Sequence, residues 1–109
     1  MAAGQNTPLP GYPQQWGTKQ IVIFDHYGPT SYSQSNGDAI SASSLGVGGI
    51  DFIIGCDDQT KTYFAEPVLS NTGGAMSSVV LHWYTLNGTE VTGSTNLSTK
   101  IIRFVAVCV

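Results

Sequence analysis

The feature that most constrains this chain is the run Val79-Val80-Leu81-His82-Trp83-Tyr84-Thr85-Leu86, which ends on Asn87-Gly88 and continues as Thr89-Glu90-Val91. β-Branched and aromatic side chains fit a pleated, half-buried surface better than a helix. Asn-Gly supplies the positive φ angles of a two-residue type I′ turn, so a β-hairpin is expected here. Side chains alternate between the faces of a strand, so one of Trp83 and Tyr84 is expected in the core and the other near the surface.

The rest of the chain reads as shorter strands divided by turn residues. Residues 19–27 hold a strand around Ile21-Val22-Ile23-Phe24, stopped by Gly28-Pro29. A polar loop containing Tyr32 follows, then a turn at Asn36-Gly37-Asp38. Residues 38–45 fit two descriptions. Ile40, Ala42 and Ser44 alternate as in a strand, while Asp38 could cap a helical turn. Residues 50–54 form a strand with a turn at 56–59. Residues 62–65 lead into a strand that Pro67 ends or confines to an edge, and a loop is expected at 70–74. The closing strand over residues 98–109 is apolar on both faces in its second half, which suits a central place in a sheet. Short strands without a long helix indicate an all-β fold, an antiparallel β-sandwich of jelly-roll-like kind over residues 19–109.

Residues 1–18 form an extended N-terminal arm rich in Pro, Gln and Gly. Pro8, Pro10 and Pro13 remove backbone donors and fix φ, so the arm cannot enter a sheet interior or a helix. Such a segment holds a shape only by lying on its own domain or on a neighbouring subunit. Tyr12 and Trp16 are its natural anchors, since aromatic rings give much contact area for little lost entropy.

Charge narrows the partners. Asp, Glu, Lys and Arg make up 10% of the 109 residues, against about 25% in an ordinary soluble domain. The polar surface must therefore be built from Ser, Thr, Asn, Gln and Gly, and such an exterior suits burial against partners or carbohydrate. With Lys19, Lys61, Lys100 and Arg103 as the only cations there is no basic patch for a phosphate backbone, so no nucleic-acid partner is expected. No apolar run approaches the ~20 residues of a membrane span, and the N-terminus lacks the pattern of a signal peptide. Cys56 and Cys108 are expected as buried small hydrophobes rather than a disulfide.

Little in the chain suggests catalysis. Asp25 and His26 are neighbours on a strand and point to opposite faces, so they form no dyad unless the chain bends. His26 and His82 read as surface or satisfied core groups. Asp57-Asp58 reads as a turn former before a cation site. Cys56, Cys108, His26 and His82 lack the paired spacing of a zinc site. No enzyme activity, cofactor or metal is expected.

Gly28-Pro29-Thr30-Ser31-Tyr32, Gly37-Asp38-Ala39-Ile40, Leu45-Gly46 and Gly49-Ile50-Asp51-Phe52 together resemble a group of small virion proteins of tailed bacteriophages. The Trp83-Tyr84 strand, the Asn87-Gly88-Thr89-Glu90-Val91 turn and Asn96-Leu97-Ser98 before the final strand fit the same group, so the resemblance covers residues 20–109. It implies a capsid decoration or cement protein on the virion surface, made in the host cytoplasm. Its partners would be the major capsid protein and further copies of itself, usually as trimers. The shared motifs are turns and carry over no functional residues. The partner-binding candidates are Pro10, Tyr12 and Trp16 in the arm and Tyr32 in the loop. The alternative function is a glycan-binding or tail-fibre module that recognises the host through Trp83 or Tyr84.

Overall fold

In the computed structural model, which describes residues 4–68 and 73–109, burial alternates with a period of two along the long strands. Residues 69–72, most of the loop expected at 70–74, lie outside the described residues, as do the first three residues of the arm. The strands are β1 (Asn6–Pro8), β2 (Gln14–Trp16), β3 (Lys19–Tyr27), β4 (Asp38–Ser41), β5 (Ile50–Gly55), β6 (Tyr63–Val68), β7 (Ser78–Thr85) and β8 (Ile101–Cys108). All pairings are antiparallel. One sheet has the order β1-β3-β8-β5, with β2 beside β1 on the same edge of β3, and the other has the order β4-β7-β6. The chain crosses back and forth between the two sheets, so its segments are stitched into an antiparallel β-sandwich.

The terminal strand β8 lies between β3 and β5, as its apolar second half indicated. From the first sheet Val22, Phe24, Ile102, Phe104 and Ala106 face inward. They meet Ile40, Val79, Leu81 and Trp83 from the second. Phe24 and Phe104 are cross-strand partners and stack with ring centroids 5.6 Å apart. Such aromatic pairs contribute about 0.5–1.5 kcal/mol beyond the area they bury. Tyr32, Leu45, Met76, Val91 and Leu97 close the core from outside the named strands.

The reversal after β7 differs from the expected type I′ turn, which requires positive φ at both Asn87 and Gly88. Here Gly88 has φ +94° and Asn87 does not, and the Gly88 N–H donates to the Thr85 carbonyl at 2.9 Å. The loop is the three-residue Leu86-Asn87-Gly88, a turn followed by a left-handed glycine. The Thr85 hydroxyl donates to the Asn87 side-chain oxygen, which also accepts the Thr89 N–H at 3.3 Å. These local bonds tie Asn87 to its neighbours in that conformation. The return limb forms no strand. It keeps a Tyr84–Glu90 bridge, made by the Val91 N–H to the Trp83 carbonyl at 2.9 Å and the Thr85 N–H to the Thr89 carbonyl at 2.8 Å.

The ambiguous segment 38–45 takes both forms in succession, β4 and then a 3-10 turn at Ser43–Leu45. The arm folds back on its own domain, since β1 and β2 run antiparallel along β3. Its prolines are compatible with this because β1 and β2 lie on the sheet edge. Gly28 is explained by close approach: a Cβ there would collide with the Leu97 carbonyl oxygen. The Gly28 N–H donates to the Lys100 carbonyl and the Leu97 N–H to the Pro29 carbonyl, so the Gly28-Pro29 step is a packing device.

Asp58 fixes the turn from β5 to β6. It is fully buried and accepts the N–H groups of Thr62 and Tyr63, each at 2.8 Å, that of Thr60 at 3.2 Å, and the Thr60 hydroxyl. Burial by itself would raise this carboxyl, but the Thr60 hydroxyl and the three backbone donors outweigh it and hold it below the ordinary carboxylate value. A depressed folded-state pKa contributes stability that is present above the unfolded value of about 3.9 and lost as pH falls through the folded one. Replacing Asp58 by Ala should therefore cost about 2 kcal/mol in urea unfolding at neutral pH. Asp58→Asn should flatten the fall in stability as pH drops below about 4. An unchanged acid limb in Asp58→Asn would refute this role.

Candidate functional site

The most concentrated polar chemistry lies between the sheets. His26, on β3, is fully buried, and its Nε2 lies 2.6 Å from Oδ2 of Asp38 on β4. Its Nδ1 lies 2.6 Å from Oδ1 of Asn6 on β1, and the Asn6 amide donates to the Ser44 hydroxyl at 2.8 Å. The Trp83 indole N–H on β7 donates to the same Asp38 oxygen at 2.9 Å. Each ring nitrogen of His26 therefore faces a side-chain oxygen. The cluster thus joins β1, β3, β4 and β7 across the sandwich. Asp25 plays no part in it. It points to the opposite face and forms a bidentate pair with Arg103 at 2.7 and 2.9 Å.

A second cluster lies at the end of β7. The Tyr32 hydroxyl accepts the Trp83 backbone N–H at 2.9 Å and donates to Glu90 at 2.8 Å. His82 Nδ1 is 3.0 Å from the same Glu90 oxygen. Burial pushes the Tyr32 phenol well above its ordinary value, and Glu90 adds to this. The bonds from His82 and Tyr32 hold Glu90 below the usual carboxylate range. Among the described residues no buried side-chain nitrogen or oxygen lacks a partner, and no three His, Cys, Asp or Glu groups converge as metal ligands. The His26 cluster is closed to substrate, and its geometry suits holding the sheets together.

These facts relocate several candidates. Tyr32 is 2% exposed, so its ring is not offered to a partner; the need to seat its hydroxyl between Trp83 and Glu90 draws it inside. Trp83 is fully buried and provides no sugar platform, while Tyr84 stacks on Phe64 outside, with centroids 5.5 Å apart. Tyr12 packs its ring against the core, and Pro10 is exposed. Trp16 stands out from the surface at 62% exposure. Cys108 is buried as expected but Cys56 is exposed, because it follows β5 at the open edge of its sheet.

The surface that sequence reasoning missed is the outer face of the first sheet. Two apolar rows cross it, Ile21-Val107-Phe52 and Ile23-Val105-Ile54, each drawn from β3, β8 and β5 in register. Phe52 is 52% and Ile54 54% exposed. Lys19 and Asp51 pair at 2.7 Å beyond the first row, and Asp25 and Arg103 pair beyond the second. The signal was present in the apolar character of both faces of β8. A central position accounts for one neighbour on each side of that strand, but not for an apolar face that no other layer covers.

Comparison with protein-family models, curated proteins and solved structures gave no match. No helix among the described residues is long and apolar enough to cross a membrane.

Two outcomes follow from this geometry. Asp38→Ala leaves the His26 ring and the Trp83 indole without their shared acceptor and should cost about 3–5 kcal/mol in chemical denaturation. A loss below about 1 kcal/mol would contradict the bridging role. Burial pushes the Cys108 thiol up to about 11, with Asp51 adding to the effect. A disulfide-exchange reagent near neutral pH should therefore titrate Cys56 in the native protein and Cys108 only on unfolding. Rapid native labelling of both thiols would show that the core opens readily.

Proposed function

We propose that this chain is a non-enzymatic structural protein of a bacteriophage virion. It decorates the capsid surface and bridges neighbouring major capsid protein subunits. The observation that carries the reading is the exterior of the first sheet, a broad apolar face bordered at each end by an ion pair. Burying that face against a lattice removes apolar surface from water at roughly 25 cal/mol per Å². Modest contacts to several subunits at once then add through effective concentration. Binding to the assembled shell and not to free subunits would stabilise the shell by mass action. The resemblance of residues 20–109 to small tailed-phage virion proteins supports the capsid as the setting.

The absence of enzyme activity belongs to the same reading. His26 is enclosed, and His82 is held by Glu90 and Tyr32. The arm enters as a surface carrier and not as a free clamp, because its backbone is committed to β3. The Leu9 N–H donates to the Ile23 carbonyl at 2.9 Å, and the Tyr27 N–H donates to the Gln5 carbonyl at 3.0 Å. Trp16 is the arm residue best placed to touch a partner.

Co-sedimentation with purified capsids of the phage that carries the gene tests the proposal. Saturable binding is expected, with a rise of several degrees in the temperature at which the shell disassembles. Trp16→Ala should weaken binding about ten-fold, the size expected for losing one aromatic anchor. No binding to capsids, or binding without shell stabilisation, would overturn the reading.

A further inference from the structure

The geometry points to the outer face of the first sheet as a two-fold self-association surface, on which a second copy of this chain packs face to face. The inference stands on the residues of that face and does not depend on the capsid reading; the two occupants compete for the face, and the weak dimer opens where the lattice takes it.

The pattern of the face is self-complementary. Along β3 the outward residues are Lys19, Ile21, Ile23 and Asp25, so a cation closes one end and a carboxylate the other. The two apolar rows between them match in size, and each holds one residue from β3, β8 and β5. A second copy can be turned about an axis that lies in the plane of the face, runs across the strands and passes between the two rows. Each row then covers the other, and β3 lies over β3 in the opposite direction. Lys19 comes over Asp25 of the second copy, and Asp51, on β5, comes over the Cys56-Asp57 end of β5 of the second copy, one strand from its Arg103. The contact repeats by symmetry, so opposite charges meet at both ends.

The other simple arrangement is a two-fold turn about an axis along β8. That turn leaves the rows in place and brings Lys19 over Asp51 of the second copy at one end. At the other end it sets Arg103 over Arg103 of the second copy and leaves Asp25 facing Cys56-Asp57, which follow β5. Only the axis across the strands joins opposite charges at both ends, so charge selects it. Lys19–Asp51 and Asp25–Arg103 are already paired within one chain, so each end presents its charges to a partner as an ion pair, with Asp57 beside the second. That is the surface an identical chain can cover without stranding a buried charge.

Area sets the strength. Four strands about 4.8 Å apart and the rise of about 3.4 Å per residue over positions 19–25 give a face about 20 Å on each side. Two such faces bury roughly 800 Å², below the ~1,000 Å² lower limit of stable specific interfaces. The dimer is accordingly a weak one, formed fully only where the local concentration is high. Trp16, paired with Lys19 at the sheet edge, lies at the rim of the contact. Trp83 is buried in the core and gives a constant background, so Trp16 reports association by its emission.

Sedimentation velocity across a concentration series tests this. A monomer–dimer equilibrium is expected with a dissociation constant on the order of 10–100 μM, and Trp16 emission should shift to the blue as dimer forms. Ile54→Lys should weaken dimerisation at least ten-fold, with Phe52→Lys as an independent second variant. Near-ultraviolet circular dichroism verifies that the exposed substitutions leave the fold intact. The decisive step is the charge swap. Lys19→Glu and Asp25→Lys should each weaken the dimer, and the double variant should recover most of the affinity. In the double variant the carboxylate introduced at position 19 faces the ammonium introduced at position 25 of the second copy. Recovery cannot come from within one chain, where the swap sets a carboxylate beside Asp51 and an ammonium beside Arg103. A chain that stays monomeric near 1 mM overturns the proposal. So does a trimer, a dimer indifferent to Ile54→Lys and Phe52→Lys, or a double variant no better than the single ones.

Discussion

The contact between His26 and Asp38 is the interaction on which the sandwich depends. It places a polar pair where apolar side chains would ordinarily meet, and it is tolerable only because every polar atom in it has a partner. Asp38 receives both the imidazole and the Trp83 indole, while Asn6 receives the other imidazole nitrogen. The first sheet contributes Asn6 and His26, and the second contributes Asp38 and Trp83. An apolar interface could slide by one pleat at moderate cost. A hydrogen-bonded interface cannot slide without leaving buried donors unpaired, so the cluster sets the register of one sheet on the other.

The same cluster explains why the arm lies on the domain. Asn6 completes the environment of His26, so β1 supplies a core contact as well as pairing with the edge of β3. Holding β1 in place brings the following chain along the same strand and leaves Trp16 at the border of the outer face. The far sides of the two sheets are then free to differ. The second sheet places the Phe64–Tyr84 stack outside, close to His82 and Glu66. The first presents two apolar rows closed at each end by an ion pair. A chain with so few charged residues uses most of its cations at fixed points. Lys19 and Arg103 bracket the apolar face, and Lys100 lies over the Tyr63 ring and donates to Thr60.

Much of the fold could be read along the chain because it is governed by local pattern. The alternation in β3 and β7, the stop at Gly28-Pro29 and the Asx turn at Asp58 each follow from neighbours in sequence. So does the choice between Trp83 and Tyr84, up to which of them is inside. Other features depend on residues far apart. The Asn87-Gly88 pair favours a two-residue turn, yet the Thr85 hydroxyl and the Thr89 backbone N–H, both donating to the Asn87 side chain, decide on three. Tyr32 reads either as packed under its loop or as an aromatic that touches a partner, and the backbone of Trp83 and the carboxylate of Glu90, which take up its hydroxyl in the core, decide for packing.

An all-β chain, the positions of most strands and a surface with little charge are written in the residues alone, since these rest on side-chain period, turn chemistry and composition. Folding in three dimensions was needed to bring His26 to Asp38 and not to its neighbour Asp25, because successive residues of a strand face opposite ways and the partner comes from the other sheet. The same holds for the single face formed by Ile21, Ile23, Val105, Val107, Phe52 and Ile54. Those residues come from three strands separated in sequence, and only the hydrogen-bonded register of β3, β8 and β5 brings them together.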